Sequence, residues 1–278
     1  MRIIEKDEFY FNVKNLLIQT HYFLPEDLIL AIKEAIKIEE GLARDALLKI
    51  LENAETSSLT KLPLCQDTGI PQFFLNVGKG ICFDFNLKEI LEKITLEVYE
   101  EEKLRKSCVE DPLFRKQNFN FPTIFVEYDS GKEEKCEVSV LIRGGGSENM
   151  TSFSLFLPSA NFQEVVKYII NEVKNLLKFT CPPVVVGVGI GGTVETSMYA
   201  AKKSLLRKIG ERNKNEFYSE TEVFLKQQLN LSNIGPLGLG GKTTVLDVFI
   251  EILPTHIATL PVSVTLQCHS YRRRSIEI

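Results

Sequence analysis

The chain has 278 residues, 44% of them hydrophobic and 25% charged, which is the composition of a globular protein with a sizeable core and no long disordered tract. Lys plus Arg total 33 against 37 for Asp plus Glu, a formal net charge of −4, and this speaks against a nucleic-acid or polyanion binder. The most apolar windows, Val184–Ile190 and Val245–Leu253, are far shorter than the roughly 20 residues a bilayer needs, and the acidic start MRIIEKDE lacks the apolar stretch of a secretory signal, so a cytoplasmic address with no membrane partner is expected.

Helical and strand signals alternate without an internal repeat or low-complexity linker. This predicts a mixed α/β fold, helices packed on mixed β-sheets with sites on loops at element ends. Pro25-Glu26-Asp27 opens a helix whose apolar positions are Leu28, Leu30, Ile32, Ile36 and Ile38, with proline and acids at its positive end. A second helix follows over Leu42–Leu51. The turn-rich segment Leu62–Pro71 leads into a strand at Gln72–Val77. Asn86–Lys106 reads as a helix capped by Asn86, with Leu87, Ile90, Leu91, Ile94 and Val98 on one face. Strands are predicted at Thr123–Tyr128 and Glu137–Arg143, a loop at Gly144–Asn149, and a further strand at Ser152–Leu157. A helix over Asn161–Leu177 precedes the Val184–Gly189 strand and its glycine-rich exit, Gly187–Thr193. Thr193–Ile209 is helical, and Phe217–Leu229 reads as a polar, exposed helix. The loop Ile234–Lys242 separates it from strands at Thr243–Ile252 and Val262–Cys268, and the basic run Arg272-Arg273-Arg274 reads as a solvated tail. Loops longer than plain connectors carry sites more often than they merely connect.

Two glycine loops invite nucleotide readings. Gly187, Gly189 and Gly192 spell GxGxxG between a Val-rich strand and a helix, the context of a dinucleotide fingerprint. The acid that should hold a ribose would be Glu211 or Glu216, and both lie in a polar stretch rather than at the end of a second apolar strand. A nucleotide-binding module using Gly187–Gly192 is therefore the remote alternative. In Gly235-Pro-Leu-Gly-Leu-Gly-Gly-Lys-Thr243 the first glycine of a P-loop would fall on Pro236, which has no N–H to offer a phosphate. Both loops still present backbone N–H groups suited to a carboxylate.

The six cysteines contain no CxxC pair, which disfavours structural zinc, and a reducing compartment disfavours disulfides. Cys82, Cys108 and Cys136 sit in apolar or alternating contexts and read as small semi-buried hydrophobes. Cys65, Cys181 and Cys268 each lie at an element boundary beside polar or rigid residues. Spacing alone leaves open whether these three converge on a metal cluster or are unrelated.

Five ordered motifs narrow the choice: Cys-Gln-Asp-Thr-Gly (65–69), Gly-Gly-Gly-Ser-Glu-Asn-Met (144–150), Cys-Pro-Pro with Val-Gly-Val-Gly-Ile-Gly-Gly-Thr (181–193), Ile-Gly-Pro-Leu-Gly-Leu-Gly-Gly-Lys-Thr-Thr (234–244), and Pro-Thr-His-Ile-Ala-Thr-Leu-Pro-Val-Ser-Val-Thr-Leu-Gln-Cys-His (254–269). Together they resemble the iron–sulfur class I fumarate hydratases and the related L-tartrate dehydratases, from about Asn12 to Arg274. The resemblance implies a 4Fe-4S cluster held by Cys65, Cys181 and Cys268, its fourth iron open to the substrate's hydroxyl and carboxylate oxygens. Such an iron polarises the leaving hydroxyl as a Lewis acid, while cations and N–H dipoles stabilise charge on an aci-carboxylate.

It also implies that Gln66 and Asp67 touch substrate, that Arg105 pairs with a substrate carboxylate, and that Gly146 and Asn149 belong to a loop wrapping it. A bidentate guanidinium suits that carboxylate. His256 matches an active-site histidine for proton transfer or hydroxide handling, and Asp67 shares the catalytic role. Single-chain relatives continue into a smaller domain carrying further substrate-binding groups. A chain ending at Ile278 resembles the α subunit of the two-subunit form, residues 1–278 forming one cluster-binding catalytic domain of one or two lobes. The implied partners are a β subunit, in an α2β2-type oligomer, and a small dicarboxylate. The implied reaction is reversible hydration of fumarate to (S)-malate, with tartrate dehydration to oxaloacetate as the alternative.

Overall fold

The computed structural model describes residues 2–116, 118–129, 131 and 134–278. In chain order the strands are β1 (Arg2–Ile4), β2 (Ile70–Gly78), β3 (Ile81–Phe83), β4 (Cys108–Val109), β5 (Asn118–Phe119), β6 (Thr123–Asp129), β7 (Cys136–Arg143), β8 (Thr151–Phe156), β9 (Val184–Gly191), β10 (Val245–Leu253), β11 (Leu260–Gln267) and β12 (Arg272–Glu277). The helices are α1 (Lys6–Tyr22), α2 (Glu26–Ile38), α3 (Gly41–Thr60), α4 (Leu87–Glu101), α5 (Gly145–Glu148), α6 (Phe162–Leu176), α7 (Val194–Ser204) and α8 (Glu216–Asn230). The fold is α/β with mixed sheets, as the alternating pattern predicts. Among the described residues no helix is long and apolar enough to cross a membrane. The chain divides into two compact units: the first comprises the chain up to Pro25, Ala54–Gly145 and Arg272–Ile278, the second Glu26–Asn53 and Gly146–Tyr271.

The first unit is built on a four-stranded sheet in the order β12-β7-β2-β6, in which only β2 and β6 run parallel. Successive strand residues face opposite ways, so Phe73, Leu75 and Val77 of β2 join Val138, Val140 and Ile142 of β7 on one face. There they meet Phe9, Val13, Leu16 and Leu17 of α1 and Ile90, Leu91, Ile94 and Val98 of α4. Helix α1 is absent from the sequence expectations. Its Phe, Tyr, Asn and Val residues are mediocre helix formers, and tertiary packing of the 9-13-16-17 stripe is what stabilises it. Helix α4 has the predicted cap, Asn86 accepting from the N–H groups of Lys88 and Glu89. It stops at Glu101 rather than Lys106, because Lys103 takes a left-handed φ of 52°, which places Arg105 on a loop. The basic run is a correction: Arg272-Arg273-Arg274 is not a solvated tail but the start of β12, paired antiparallel with β7. Arg272 is 1% exposed, its long aliphatic stem suiting an apolar surround.

The second unit carries a sheet in the order β10-β9-β11-β8, with β9 and β10 parallel and β11 antiparallel to both β9 and β8. Val184, Val186 and Val188 of β9 pack with Val165, Ile169 and Val173 of α6 and Leu225 and Leu229 of α8. Helix α6 begins in the predicted place with a full capping box, Asn161 and Glu164 each bonding the other's backbone N–H. Helix α8 is not the exposed helix expected. Its Glu222 is fully buried and bonds Arg207 at 2.8 Å and the Ile250 N–H at 2.9 Å, a partnered charge that composition alone does not distinguish from a solvated one.

Both glycine loops resolve into packing devices. Gly187 and Gly189 lie inside β9, which runs on to Gly191. A Cβ at Gly187 would sit 2.2 Å from the Ala201 carbonyl oxygen, and one at Gly189 2.1 Å from that of Ser197. The first two glycines of the apparent fingerprint thus let α7 approach the strand, and Thr193 caps that helix. Gly189→Ala is expected to destabilise the chain by about 1–3 kcal/mol or more, read as a lowered thermal midpoint with wild-type secondary structure before unfolding; an unchanged midpoint refutes the packing account. In the second loop the N–H groups of Lys242 and Thr243 donate to the buried carboxylate of Glu39. A Cβ at Gly241 would meet Glu39 Oε2 at 2.7 Å. The carboxylate suited to this loop is the chain's own.

Candidate active site

In the first unit the segment Cys65–Gly69 enters β2 and is tied down from several sides. Asp67 Oδ1 accepts from the Gly69 N–H at 3.1 Å and from the Ser107 hydroxyl at 3.3 Å, and Oδ2 accepts from the Gly145 N–H at 2.7 Å. A side chain at Gly144 would collide with Asp67 Oδ2 at 2.6 Å, so the glycine admits the carboxylate. Gly69 has φ 71°, and its Cβ would lie 2.5 Å from the Arg143 carbonyl oxygen. That position needs glycine for conformation and close approach alike. The Thr68 hydroxyl donates to the Arg105 carbonyl at 2.7 Å, which sets Arg105 beside the loop. Gln66 and Arg105 are exposed, and Cys65 and Asp67 partly so. The unit therefore brings Cys65, Gln66, Asp67 and Arg105 together.

In the second unit Cys181 precedes β9 and Cys268 follows β11. Antiparallel pairing of those strands, Gln267 opposite Val185, brings both thiols to one end of the sheet. The Cys181 carbonyl accepts from the His269 N–H at 3.4 Å and contacts His269 Nδ1 at 3.2 Å. A carbonyl only accepts, so Nδ1 carries the proton. The Cys268 N–H donates to the Ser147 hydroxyl at 3.2 Å. β8 pairs with β11 through Thr151 and Thr265, which sets Gly146 and Asn149, both exposed, at the same end. The Leu237 N–H donates to the Pro182 carbonyl at 2.8 Å, so the 234–242 loop flanks Cys181.

His256 is elsewhere. It lies on the exposed turn between β10 and β11, where Gly192 N–H donates to the Pro254 carbonyl at 3.1 Å. This is the opposite end of β9 from the two cysteines, roughly 23 Å away at strand rise. Its Nδ1 accepts from the Ala258 N–H at 3.1 Å, and it lines a cleft of about 500 Å³ with Thr193, Thr196, Thr255 and Thr259. The second unit does not bring His256 to Cys181 and Cys268.

Each unit presents thiols of the kind an iron–sulfur cluster takes, Cys65 in the first and Cys181 with Cys268 in the second. Cys181 is exposed and Cys65 and Cys268 are partly so. Among the described residues no group of three His, Cys, Asp or Glu surrounds a point where one ion could sit. Thiolates of a cluster each bind a different iron, and so need not surround one ion. The remaining cysteines behave as small hydrophobes: Cys136 is 0% and Cys108 6% exposed, and burial pushes the Cys108 thiol up. Sequence reasoning passed over Ser107, Ser147 and His269. Their roles rest on hydrogen bonds made through the fold, which leave no spacing pattern to read.

The profile of the fumarate hydratase (Fumerase) family matches residues 11–277. A Methanocaldococcus jannaschii protein provisionally named L(+)-tartrate dehydratase subunit alpha is 39% identical over 265 residues, 90% of each chain. The L(+)-tartrate dehydratase subunit alpha of Escherichia coli UTI89 is 33% identical over 251 residues, 83% of each chain. That of Escherichia coli K12 is 33% identical over 249 residues, 82% of each. With the match running over nearly all of its length, the chain belongs to the fumarate hydratase family, a family of hydro-lyases.

Proposed function

We propose that this chain is the cluster-bearing α subunit of a C4-dicarboxylate hydratase that interconverts fumarate and (S)-malate. The observation that supports it most directly is the adjacency of Cys181 and Cys268, far apart in sequence and joined through His269 at one end of a sheet. In this reading Cys65, Cys181 and Cys268 hold a 4Fe-4S cluster. When bound, the cluster supplies an open iron as a Lewis acid toward the substrate's hydroxyl. Asp67, left one orientation by its three donors, moves a proton at a carboxylate oxygen. The exposed Arg105 guanidinium clamps a substrate carboxylate bidentately, and Gln66 donates a further hydrogen bond. Gly146 and Asn149 border the substrate; nothing lies within 4 Å of a Cβ placed at Gly146, so the chain's own packing does not demand glycine there. The α-subunit names of the relatives support a β partner, and an α2β2-type assembly is part of the same reading.

Tartrate dehydration to oxaloacetate is the second reading, favoured by those same names. The two substrates differ by one hydroxyl. Anaerobic co-expression of the chain with its β partner, followed by rates on malate and on tartrate, separates them. Brown protein that turns over malate faster supports the first reading, and faster tartrate turnover the second. Colourless protein that turns over neither refutes both.

A further inference from the structure

Beneath the Cys65–Gly69 loop, within the first unit, lies a buried polar layer that the proposed chemistry leaves unused. The Tyr99 hydroxyl reaches the carbonyls of Thr68 and Gly69 at 3.1 and 2.8 Å. Arg272 Nη1 donates to the same Thr68 carbonyl at 3.1 Å. The His21 ring stands edge-on to Tyr99 at 5.2 Å between centroids, and its carbonyl accepts the Leu64 N–H at 3.0 Å. His21, Tyr99 and Arg272 are 0%, 2% and 1% exposed. Among the described residues neither ring nitrogen of His21 nor Nε of Arg272 has a hydrogen-bond partner.

The charges in this layer do not balance. Burial, and then the charge of Arg272, hold His21 well below the usual imidazole value, so it is neutral. Burial pushes the Tyr99 phenol up, so it too is neutral. A guanidinium stays charged in proteins, so Arg272 carries a positive charge beside the neutral His21 and Tyr99. A buried cation without a bonded carboxylate is costly. The nearest negative charge along the loop, Asp67, has its oxygens committed to Gly69, Ser107 and Gly145.

We propose that Arg272 is a positioning residue of this loop, anchoring the Thr68 carbonyl from below and supplying the buried positive charge that draws an anionic substrate to Gln66 and Asp67. The inference rests on the dicarboxylate reading for its second half only. Replacing a buried charge by an apolar side chain of similar size is often neutral or stabilising for the fold, and this separates a role in the site from a structural one.

The test compares Arg272→Met, Arg272→Lys and Tyr99→Phe. In the chain alone, Arg272→Met keeps or raises the thermal midpoint, while amide exchange at Thr68–Ile70 quickens about tenfold. In the assembly with the β partner it raises KM for malate at least tenfold, with kcat changed less. Arg272→Lys brings KM back to within about threefold of wild type. Tyr99→Phe quickens exchange without moving KM, since it removes an anchor and no charge. Should the Met variant not fold, Arg272→Gln replaces it in the same comparison with Lys. A fall in midpoint with exchange and KM unchanged, or equal KM for Met and Lys variants, overturns the proposal. Wild-type assembly inactive on malate sinks the dicarboxylate reading, and amide exchange still decides the anchoring.

Discussion

Serine at Cys65, Cys181 or Cys268 is expected to give a folded, colourless chain with no hydratase activity when assembled with the β partner. The reasoning is one of ligand softness. A serine oxygen is nearly isosteric with sulfur but is a poor ligand for iron in a sulfide cluster, where thiolate is the rule. Loss of one of three protein ligands leaves too few to retain the cluster. The fold should survive because these side chains are exposed or partly so, and surface substitutions away from buried features cost about 0.5 kcal/mol or less. Serine at Cys136 is the matched control. That side chain is 0% exposed in the first unit's core, so a hydroxyl there costs about 1–3 kcal/mol and leaves the colour intact. Iron and sulfide analysis, absorbance near 400 nm and thermal midpoints on the same samples read all arms. A Cys181→Ser or Cys268→Ser chain that keeps full iron and sulfide content removes the cluster assignment.

The candidate residues and elements of the two units were legible in the sequence to different depths. Strands such as β7, β9 and β11 announced themselves through β-branched runs, and α6 through the Asn161 cap with Glu164 three residues on; these are local signals, decided within a few residues. What stayed hidden depends on contacts between distant segments. Gly187 and Gly189 looked like a phosphate loop because spacing cannot say whether a glycine faces a ligand or the backbone of α7. Arg272 looked like part of a tail because charge predicts exposure, and its burial follows only from β12 pairing with β7. Glu222 of α8 misled in the same way. Of the motif residues, Asp67 and Arg105 lie beside each other in the first unit, and Cys181 and Cys268 lie beside each other in the second. His256 shares a motif with Cys268 but not a place, because the motif spans all of β11 and a strand carries its two ends apart.

That separation yields the second large effect. His256→Ala is expected to lower kcat by about 10²–10⁴-fold, the usual loss on removing a proton-transfer group. Yet His256 and Cys181 sit at opposite ends of one sheet, roughly 23 Å apart at strand rise, and no rotation of a side chain closes that gap. If both act on one substrate, the histidine must come from a second copy in the proposed α2β2 assembly. The requirement has a sharp signature in hybrids made from one His256→Ala chain and one Cys181→Ser chain, each inactive with its own kind. When histidine is supplied across copies, one site of the hybrid collects both defects and the other collects neither, so activity returns to one site per hybrid. When each copy uses its own histidine, every site carries one defect and the hybrid stays as inactive as its parents. Hybrids purified through two different tags and assayed on malate read the outcome directly. A His256→Ala parent with wild-type kcat removes the residue from the chemistry and leaves it to the threonine-lined cleft where the fold places it.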